Sequence, residues 1–340
     1  VQALRERVPL YRTFAAPSCR VFPNADNGGP WRVCNYGGGS YGRVSLLEAT
    51  VNSINVAYAK LILDIGPSDV VRTARAMGIR TNLVPVNSAV LGTNVVNPLG
   101  MASAYGTLAA GGAHYGPVAI TRIEDADGKV LYKLPTRAKR RQEVIDPSVA
   151  YLATNTLEQA VQRGTGTGAI IGRPVAGKTG TAQEYRDAWF VGFTPQRATA
   201  VWVGYPEGSI SMKTYCFEGP ARCRTTRIQV TGGSWPADIW RGFMSAEMKG
   251  LPVRGFSAPS SGLLRVAIDT RRNCLATGAT PASAQETVTV LQGTSLPDPC
   301  PRPAPKKTDG DKDERGKSKS KGDDRGRGRK LGHDKSRGRG

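Results

Sequence analysis

Two short groups of polar residues could do chemistry in this chain, Ser53-Ile54-Asn55 and Lys178-Thr179-Gly180-Thr181. Serine hydroxyls, asparagine amides and lysine ammonium groups are residue types that enzymes use to move protons and to hold anions. Patterns of three or four residues also arise by chance in a chain of this length. The weight of the two motifs therefore depends on the sequence around them.

The apolar spacing predicts the elements that carry these motifs. Apolar residues recur at intervals of three and four from Ser45 to Leu63, with Ser45 as N-cap and Glu48 completing a capping box, so one helix is predicted to carry the first motif. The run Pro174 to Thr181 is typical of a β-strand and carries the second motif.

Further elements follow the same rules, and residues 1 to 44 are predicted to be loop with one short helix at the start. The other predicted helices are Pro67 to Met77, Pro98 to Leu108, Pro147 to Val161 and Trp235 to Met248. The other predicted strands are Val118 to Ile123, Val130 to Leu134, Ala188 to Phe193 and Ala198 to Tyr205, the last two joined by a turn at Pro195-Gln196.

The composition of the chain changes twice near its end. From about Pro252 it becomes rich in Pro, Ser, Thr and Ala, with two short strand-like runs, Leu263 to Ile268 and Thr287 to Leu291. Residues 301–340 hold 8 Lys and 7 Arg against 7 Asp or Glu and too few apolar residues to fold. Three regions are therefore predicted: a main domain over 1–250, a small extension over 251–300 and a disordered basic tail over 301–340.

The formal charge of +20 favours anionic partners without choosing among nucleic acid, anionic lipid and acidic wall polymers. Nucleic-acid binding ranks last among the functions, because no aromatic residue lies between the basic residues of the tail to stack on bases.

Six cysteines allow fifteen pairings, of which the most local joins Cys19 to Cys34, Cys216 to Cys223 and Cys274 to Cys300. A metal site is disfavoured because the chain has only two histidines as further ligands, and an even cysteine count then favours an oxidising, extracytoplasmic location.

No apolar run is long enough to span a membrane, and the first residues show no signal peptide. The chain is expected to begin inside a domain, with any membrane anchor upstream.

Two other features invite a functional interpretation that we reject. Gly164, Gly166 and Gly168 do not form a phosphate-binding pattern after a strand. His114 has no second ligand near it in sequence and is predicted to be a surface loop residue.

The longer sequence context of both motifs resembles the transpeptidase domain of class A penicillin-binding proteins. The similarity covers Leu46 to Asn55, Asn97 to Gly112, Arg173 to Pro195 and Gly232 to Trp240, in the family's order. A weaker similarity over Cys274 to Cys300 matches a small extension found in some members. The resemblance implies an α/β penicillin-binding fold, with an antiparallel sheet flanked by helices and incomplete at the N-terminus.

The resemblance also implies peptidoglycan D,D-transpeptidation on the outer face of the bacterial membrane, with stem peptides as substrate, β-lactams as inhibitors and no cofactor or metal. Ser53 would relay a proton to the leaving amine, and Asn55 would hydrogen-bond the base and the substrate. Lys178 would supply a positive charge beside the substrate carboxylate. Thr179 and Thr181 would bind that carboxylate, and Gly180 would let the substrate backbone approach.

One part of the family pattern is not in this sequence. The family's nucleophile lies in an S-x-x-K motif before the position of Ser53, where the lysine activates the serine. Here S-x-x-K occurs once, at Ser318-Lys319-Ser320-Lys321 in the basic tail. The chain is therefore predicted to be inactive alone. The resemblance to class A members further implies that it derives from a bifunctional glycosyltransferase and transpeptidase. The alternative from another class is a non-catalytic module that binds envelope polymers.

Overall fold

In the computed structural model, Lys178 lies on a three-stranded antiparallel sheet that organises the main domain. The structure describes residues 1–26, 28–212 and 229–301, together with the backbone of the strands Thr214–Cys216 and Cys223–Thr225. The helices are α1 (Gln2–Arg5), α2 (Leu46–Val51), α3 (Asn55–Ile65), α4 (Pro67–Ala76), α5 (Pro98–Ala109), α6 (Pro147–Arg163) and α7 (Trp235–Glu247).

The strands form several small antiparallel sheets. They are β1 (Thr13–Ala16), β2 (Cys19–Asp26), β3 (Gly29–Cys34), β4 (Gly42–Ser45), β5 (Ala113–His114), β6 (Arg122–Glu124), β7 (Val130–Lys133), β8 (Gln142–Glu143), β9 (Ala176–Thr181), β10 (Asp187–Phe193), β11 (Ala198–Gly204), β12 (Thr214–Cys216), β13 (Cys223–Thr225), β14 (Leu263–Asp269), β15 (Cys274–Leu275) and β16 (Gln285–Leu291). The central sheet has the order β11-β10-β9, so β9 is a terminal strand.

Helices cover both faces of the central sheet. Phe190 and Phe193 of β10 are fully buried and three positions apart, so they point to opposite faces. Phe190 packs with Trp240 of α7, and Phe193 packs with residues of α5 and α6. The predicted α/β architecture, an antiparallel sheet flanked by helices, is confirmed.

The prediction that residues 1–44 are mainly loop is wrong. The segment forms α1 and four strands, and the hairpin of β2 and β3 is closed by a disulfide between Cys19 and Cys34, which lie opposite each other. Phe22 and Val33 of this hairpin pack on Val56 of α3. Pro23 and the glycines near the turn interrupt the alternation of apolar and polar residues that would indicate two strands. The apolar side chains of the hairpin are buried by contact with α3, which the local sequence does not indicate.

A single helix from Ser45 to Leu63 is also wrong, because the structure breaks it between Val51 and Asn55. The carbonyl of Val51 accepts a hydrogen bond from the backbone N–H of Thr165 at 3.2 Å. In a continuous helix this carbonyl would instead accept from the N–H of Asn55. The N-cap of α2 is as predicted, since the Ser45 hydroxyl accepts from the N–H of Glu48.

The C-terminal segment forms the sheet β15-β14-β16, closed by a disulfide between Cys274 and Cys300. It contacts the main domain through the Ser148 hydroxyl, which donates to the carbonyl of Ser261, and through Leu291 in the core beside α6. The domain boundary at residue 250 stays a prediction.

Three other predictions meet different outcomes. The Cys216–Cys223 disulfide involves side chains outside those described, although the backbone of β12 and β13 sets these residues opposite each other. The basic tail lies outside the described residues except for Pro301. None of the described helices is both long and apolar enough to cross a membrane.

The turn after α5 offers a test of the packing. Gly111 and Gly112 both have positive φ, but a Cβ at Gly111 would meet nothing within 4 Å, whereas a Cβ at Gly112 would overlap the carbonyl of Ile145. We expect Gly111→Ala to lower the free energy of unfolding by about 1 kcal/mol and Gly112→Ala by at least about 3 kcal/mol. Urea unfolding of both variants measures this, and equal losses would contradict the described turn.

Candidate active site

The two motifs identified from the sequence meet at Lys178 and Ser53. The Nζ of Lys178 on β9 donates a hydrogen bond to the Oγ of Ser53 at 2.8 Å and a second to the carbonyl of Thr179 at 3.1 Å. These residues are 125 positions apart, so the contact joins the helical part of the domain to the edge of the sheet.

The break between α2 and α3 positions Ser53. Its φ of 55° lies in the left-handed region, which is uncommon for a residue other than glycine. Because Val51 bonds to Thr165 instead of continuing the helix, the chain turns at Ser53 and starts α3 at Asn55. The serine hydroxyl therefore lies at the turn between α2 and α3, facing β9. A continuous helix would instead have placed it on the side of the helix.

Asn55 fastens α3 to the N-terminal hairpin. Its Nδ2 donates to the carbonyl of Cys34 at 3.0 Å, and the N–H of Val56 donates to the Oδ1 of Asn35 at the same distance. Asn35 therefore caps α3 from outside the helix. The structure brings Asn55 to the Ser53 corner, while its predicted contacts with base and substrate stay a prediction.

The hydroxyl of Thr179 pairs with a residue that the sequence did not single out. Its Oγ1 lies 2.6 Å from the Oγ1 of Thr165. Thr165 belongs to the glycine-rich segment after α6, in which phosphate binding was rejected, and nothing in that segment's own sequence indicates a contact with β9. One O–H of the pair is used in this hydrogen bond, so the two hydroxyls beside the Lys178 ammonium can together offer one further donor to a carboxylate.

Gly180 and Thr181 face a second glycine segment. The Oγ1 of Thr181 accepts from the N–H of Gly232 at 3.0 Å, and a Cβ at Gly232 would lie 2.5 Å from the carbonyl oxygen of Gly180. Gly232 therefore lets its segment sit directly against β9. The predicted contact of substrate with Gly180 is not tested by this packing.

The backbone of β9 also offers a donor at the open edge of the sheet. The N–H of Ala182 donates to the carbonyl of Asp187 on the β10 side at 2.8 Å. Because backbone amides alternate in direction along a strand, the N–H of Thr181 points away from β10. That orientation suits an oxyanion-hole donor.

Two tyrosines link the N-terminal segment to the segment that follows β9. The hydroxyl of Tyr185 donates to the Oε1 of Gln229 at 2.6 Å and lies 3.0 Å from the hydroxyl of Tyr36, with the rings edge to face. Tyr36 follows the hairpin that holds Asn55, and Tyr185 follows β9. Neither was predicted to be a site residue, since each lies in a segment whose position depends on the fold.

His114 is not a surface residue, contrary to prediction. It is 2% exposed, and its Nδ1 lies 3.1 Å from the hydroxyl of Thr107. It packs against Gly78, where an added Cβ would lie 2.5 Å from the imidazole ring. Burial lowers its pKa, so the neutral form fits this interior position.

Burial also governs the Lys178 ammonium. Desolvation lowers its pKa from 10.5 to about 8. The group is therefore mainly charged at neutral pH and keeps its three donors, but it loses its proton within about a unit of physiological pH. Partial exclusion of water lowers the local dielectric and therefore strengthens the attraction between this cation and an anionic ligand.

Comparisons with known proteins give a consistent picture. A model of the penicillin binding protein transpeptidase domain matches residues 21–207. Penicillin-binding protein 1A of Mycolicibacterium smegmatis is 32% identical over 250 residues, which are 67% of this chain and 30% of that protein. Penicillin-binding protein 2D of Bacillus subtilis is 32% identical over 235 residues, covering 66% and 31%. The chain spans about a third of the length of these relatives.

Solved structures agree with the sequence matches. PonA1 from Mycobacterium tuberculosis in complex with penicillin V superposes with a TM-score of 0.64 at 28% identity, covering 76% of this chain and 69% of that one. Penicillin-Binding Protein 1A from Haemophilus influenzae shares the fold with a TM-score of 0.71 at 21% identity, covering 89% of this chain and 47% of that one.

The shifted pKa of Lys178 predicts a pH dependence of stability. Folding lowers the pKa of this group, so between pH 8 and 10.5 the unfolded chain binds the extra proton, and stability rises with pH in that window. We expect the free energy of unfolding of the wild type, relative to Lys178→Met, to increase from pH 8 to pH 10. Urea unfolding at pH 7, 8, 9 and 10 measures the difference, and a constant value would show that Lys178 is not desolvated.

Proposed function

Because the chain belongs to the penicillin-binding protein transpeptidase family, we propose that its site is one wall of a D,D-transpeptidase cleft that cross-links peptidoglycan and is acylated by β-lactams. The observation that carries this proposal is the 2.8 Å hydrogen bond between Lys178 and Ser53, which brings the two motifs together across the cleft. The similar PonA1 structure in complex with penicillin V supports β-lactams as ligands.

The proposed reaction is transfer of an acyl group. A serine hydroxyl attacks the carbonyl carbon between two terminal D-alanines, the C–N bond breaks and D-alanine leaves as the amine. An amine of a second stem peptide then attacks the ester and releases the serine. In this scheme Ser53 passes the serine's proton to the departing nitrogen, and Asn55 holds the base and the substrate amide.

Residues of β9 bind the anionic parts of the substrate in this proposal. The Lys178 ammonium faces the terminal carboxylate, and the hydroxyls of Thr179 and Thr181 donate to it. The outward N–H of Thr181 stabilises the oxyanion of the tetrahedral intermediate. Gly180 leaves room for the substrate backbone to run along the strand.

The attacking serine is not assigned within residues 1–301, which contain no S-x-x-K motif. We propose that these 340 residues do not acylate by themselves and that the full protein is a bifunctional glycosyltransferase and transpeptidase with a membrane anchor. Its location would be the outer face of the cell membrane. The two described disulfides fit that oxidising location.

Labelling with a fluorescent penicillin tests the proposal. Intact-mass spectrometry would compare this chain with a longer product of the same gene that includes an S-x-x-K motif. We expect one covalent adduct on the longer chain and none on this one. Lys178→Ala in the longer chain should slow labelling by about 100-fold, because it removes the cation that holds the carboxylate.

The matched control is Lys249→Ala, which removes an exposed lysine just after α7. It should label at the wild-type rate. If both lysine variants label equally, Lys178 has no role in acylation. If the longer chain is folded but unlabelled, the enzyme proposal fails and the envelope-binding module replaces it.

A further inference from the structure

A cavity that does not include Lys178 lies where the C-terminal sheet meets the main domain. It has a volume of about 350 Å³ and is lined by residues of α6, by four consecutive residues of β16 and by segments near β1 and β4. Ligand sites for small molecules begin at about 300 Å³. None of the residues assigned to the acyl-transfer site lines this cavity.

The walls of this cavity present uncharged hydrogen-bonding groups from two directions. Asn155 and Gln159 are one turn apart on α6 and therefore share a face of the helix. Thr287 and Thr289 are two positions apart on β16 and therefore share a face of the strand. Amides thus line the cavity from the helix and hydroxyls line it from the strand, and the half-buried aromatic residue Tyr11 also lines it.

The amides are held in place with donors left over. Arg163 is fixed by Glu48 at 2.6 Å and donates to the Oε1 of Gln159 at 2.8 Å, so the Nε2 of Gln159 is turned toward Asn155. Within the described residues, no hydrogen bond uses the Nδ2 of Asn155. Half-buried donors that lack a full set of partners can donate hydrogen bonds to a ligand without rearrangement of the protein.

The charge of the lining is balanced. Arg43 and Glu286 are the two charged residues that line the cavity, and they have opposite signs. The lining therefore has no net charge that would favour an anionic or a cationic ligand. An uncharged ligand that both donates and accepts hydrogen bonds matches amides and hydroxyls best.

We infer that this cavity binds an uncharged saccharide of one or two rings, held by Asn155, Gln159 and Thr289 with one sugar face on Tyr11. Sugar hydroxyls donate and accept, as the cavity's amides and hydroxyls do, and the apolar face of a pyranose ring packs on an aromatic ring. The inference is independent of the acyl-transfer proposal, because it involves neither Lys178 nor a nucleophile.

Isothermal titration calorimetry on the whole chain tests the inference. The probes are the disaccharide of N-acetylglucosamine and cellobiose, which have two rings each and differ in their N-acetyl groups. We expect saturable binding of at least one of them. The double variant Asn155→Leu with Thr289→Val should weaken that binding about tenfold, because it removes two hydrogen bonds while keeping side-chain volume.

The matched control is Thr121→Val, an exposed threonine outside the cavity lining, which should bind like the wild type. Circular dichroism and thermal unfolding would check that each variant folds, and Thr289→Val alone replaces the double variant if that one does not. Absence of saturable binding by both sugars, or equal binding by wild type and folded variant, would overturn the inference. Binding of an extended Thr-Val hexapeptide but of neither sugar would also overturn it and would indicate strand pairing with β16.

Discussion

One backbone hydrogen bond determines the geometry of the candidate active site. The carbonyl of Val51 accepts from the N–H of Thr165 and not from Asn55. The bond ends α2, lets Ser53 adopt a left-handed conformation and starts α3 at Asn55. It also holds Thr165 where its hydroxyl reaches Thr179 on β9. A single exchange of partners therefore joins three segments that are far apart in sequence.

Placing the Lys178 ammonium in this site costs free energy because the group is partly removed from water. An ammonium group loses hydration when it is buried, and the lowered pKa of Lys178 reflects that loss. Three hydrogen-bond acceptors around Nζ offset part of it, namely Ser53 Oγ, Thr179 O and Thr179 Oγ1. All three are neutral, so within these contacts no carboxylate cancels the charge. A desolvated cation with no counter-ion among these contacts is a candidate functional group.

Local patterns were sufficient for elements whose ends and packing are set by nearby residues. Helix α5 begins at Pro98 and strand β9 ends at Thr181, both as predicted. The failures depend on distant residues. The break at Ser53 needs Thr165, the strands of the first 44 residues need a disulfide and the surface of α3, and the burial of His114 needs Thr107 and Gly78. The motifs identified Ser53 and Lys178, whereas Thr165 has no local pattern that could reveal it.

The Asn55 side chain has a structural contact that limits how it can serve the proposed reaction. Its Nδ2 is occupied by the carbonyl of Cys34, at the end of a hairpin whose strands are joined by the Cys19–Cys34 disulfide. The Cys34 carbonyl therefore cannot move far without moving the hairpin. Among the described residues no hydrogen bond uses the Oδ1 of Asn55, and an amide nitrogen carries a second hydrogen, so the same side chain can anchor α3 and still have one donor and one acceptor. The hairpin thus fixes the orientation of the Asn55 side chain. The Cys19–Cys34 disulfide, which closes that hairpin, therefore contributes to the geometry beside Ser53.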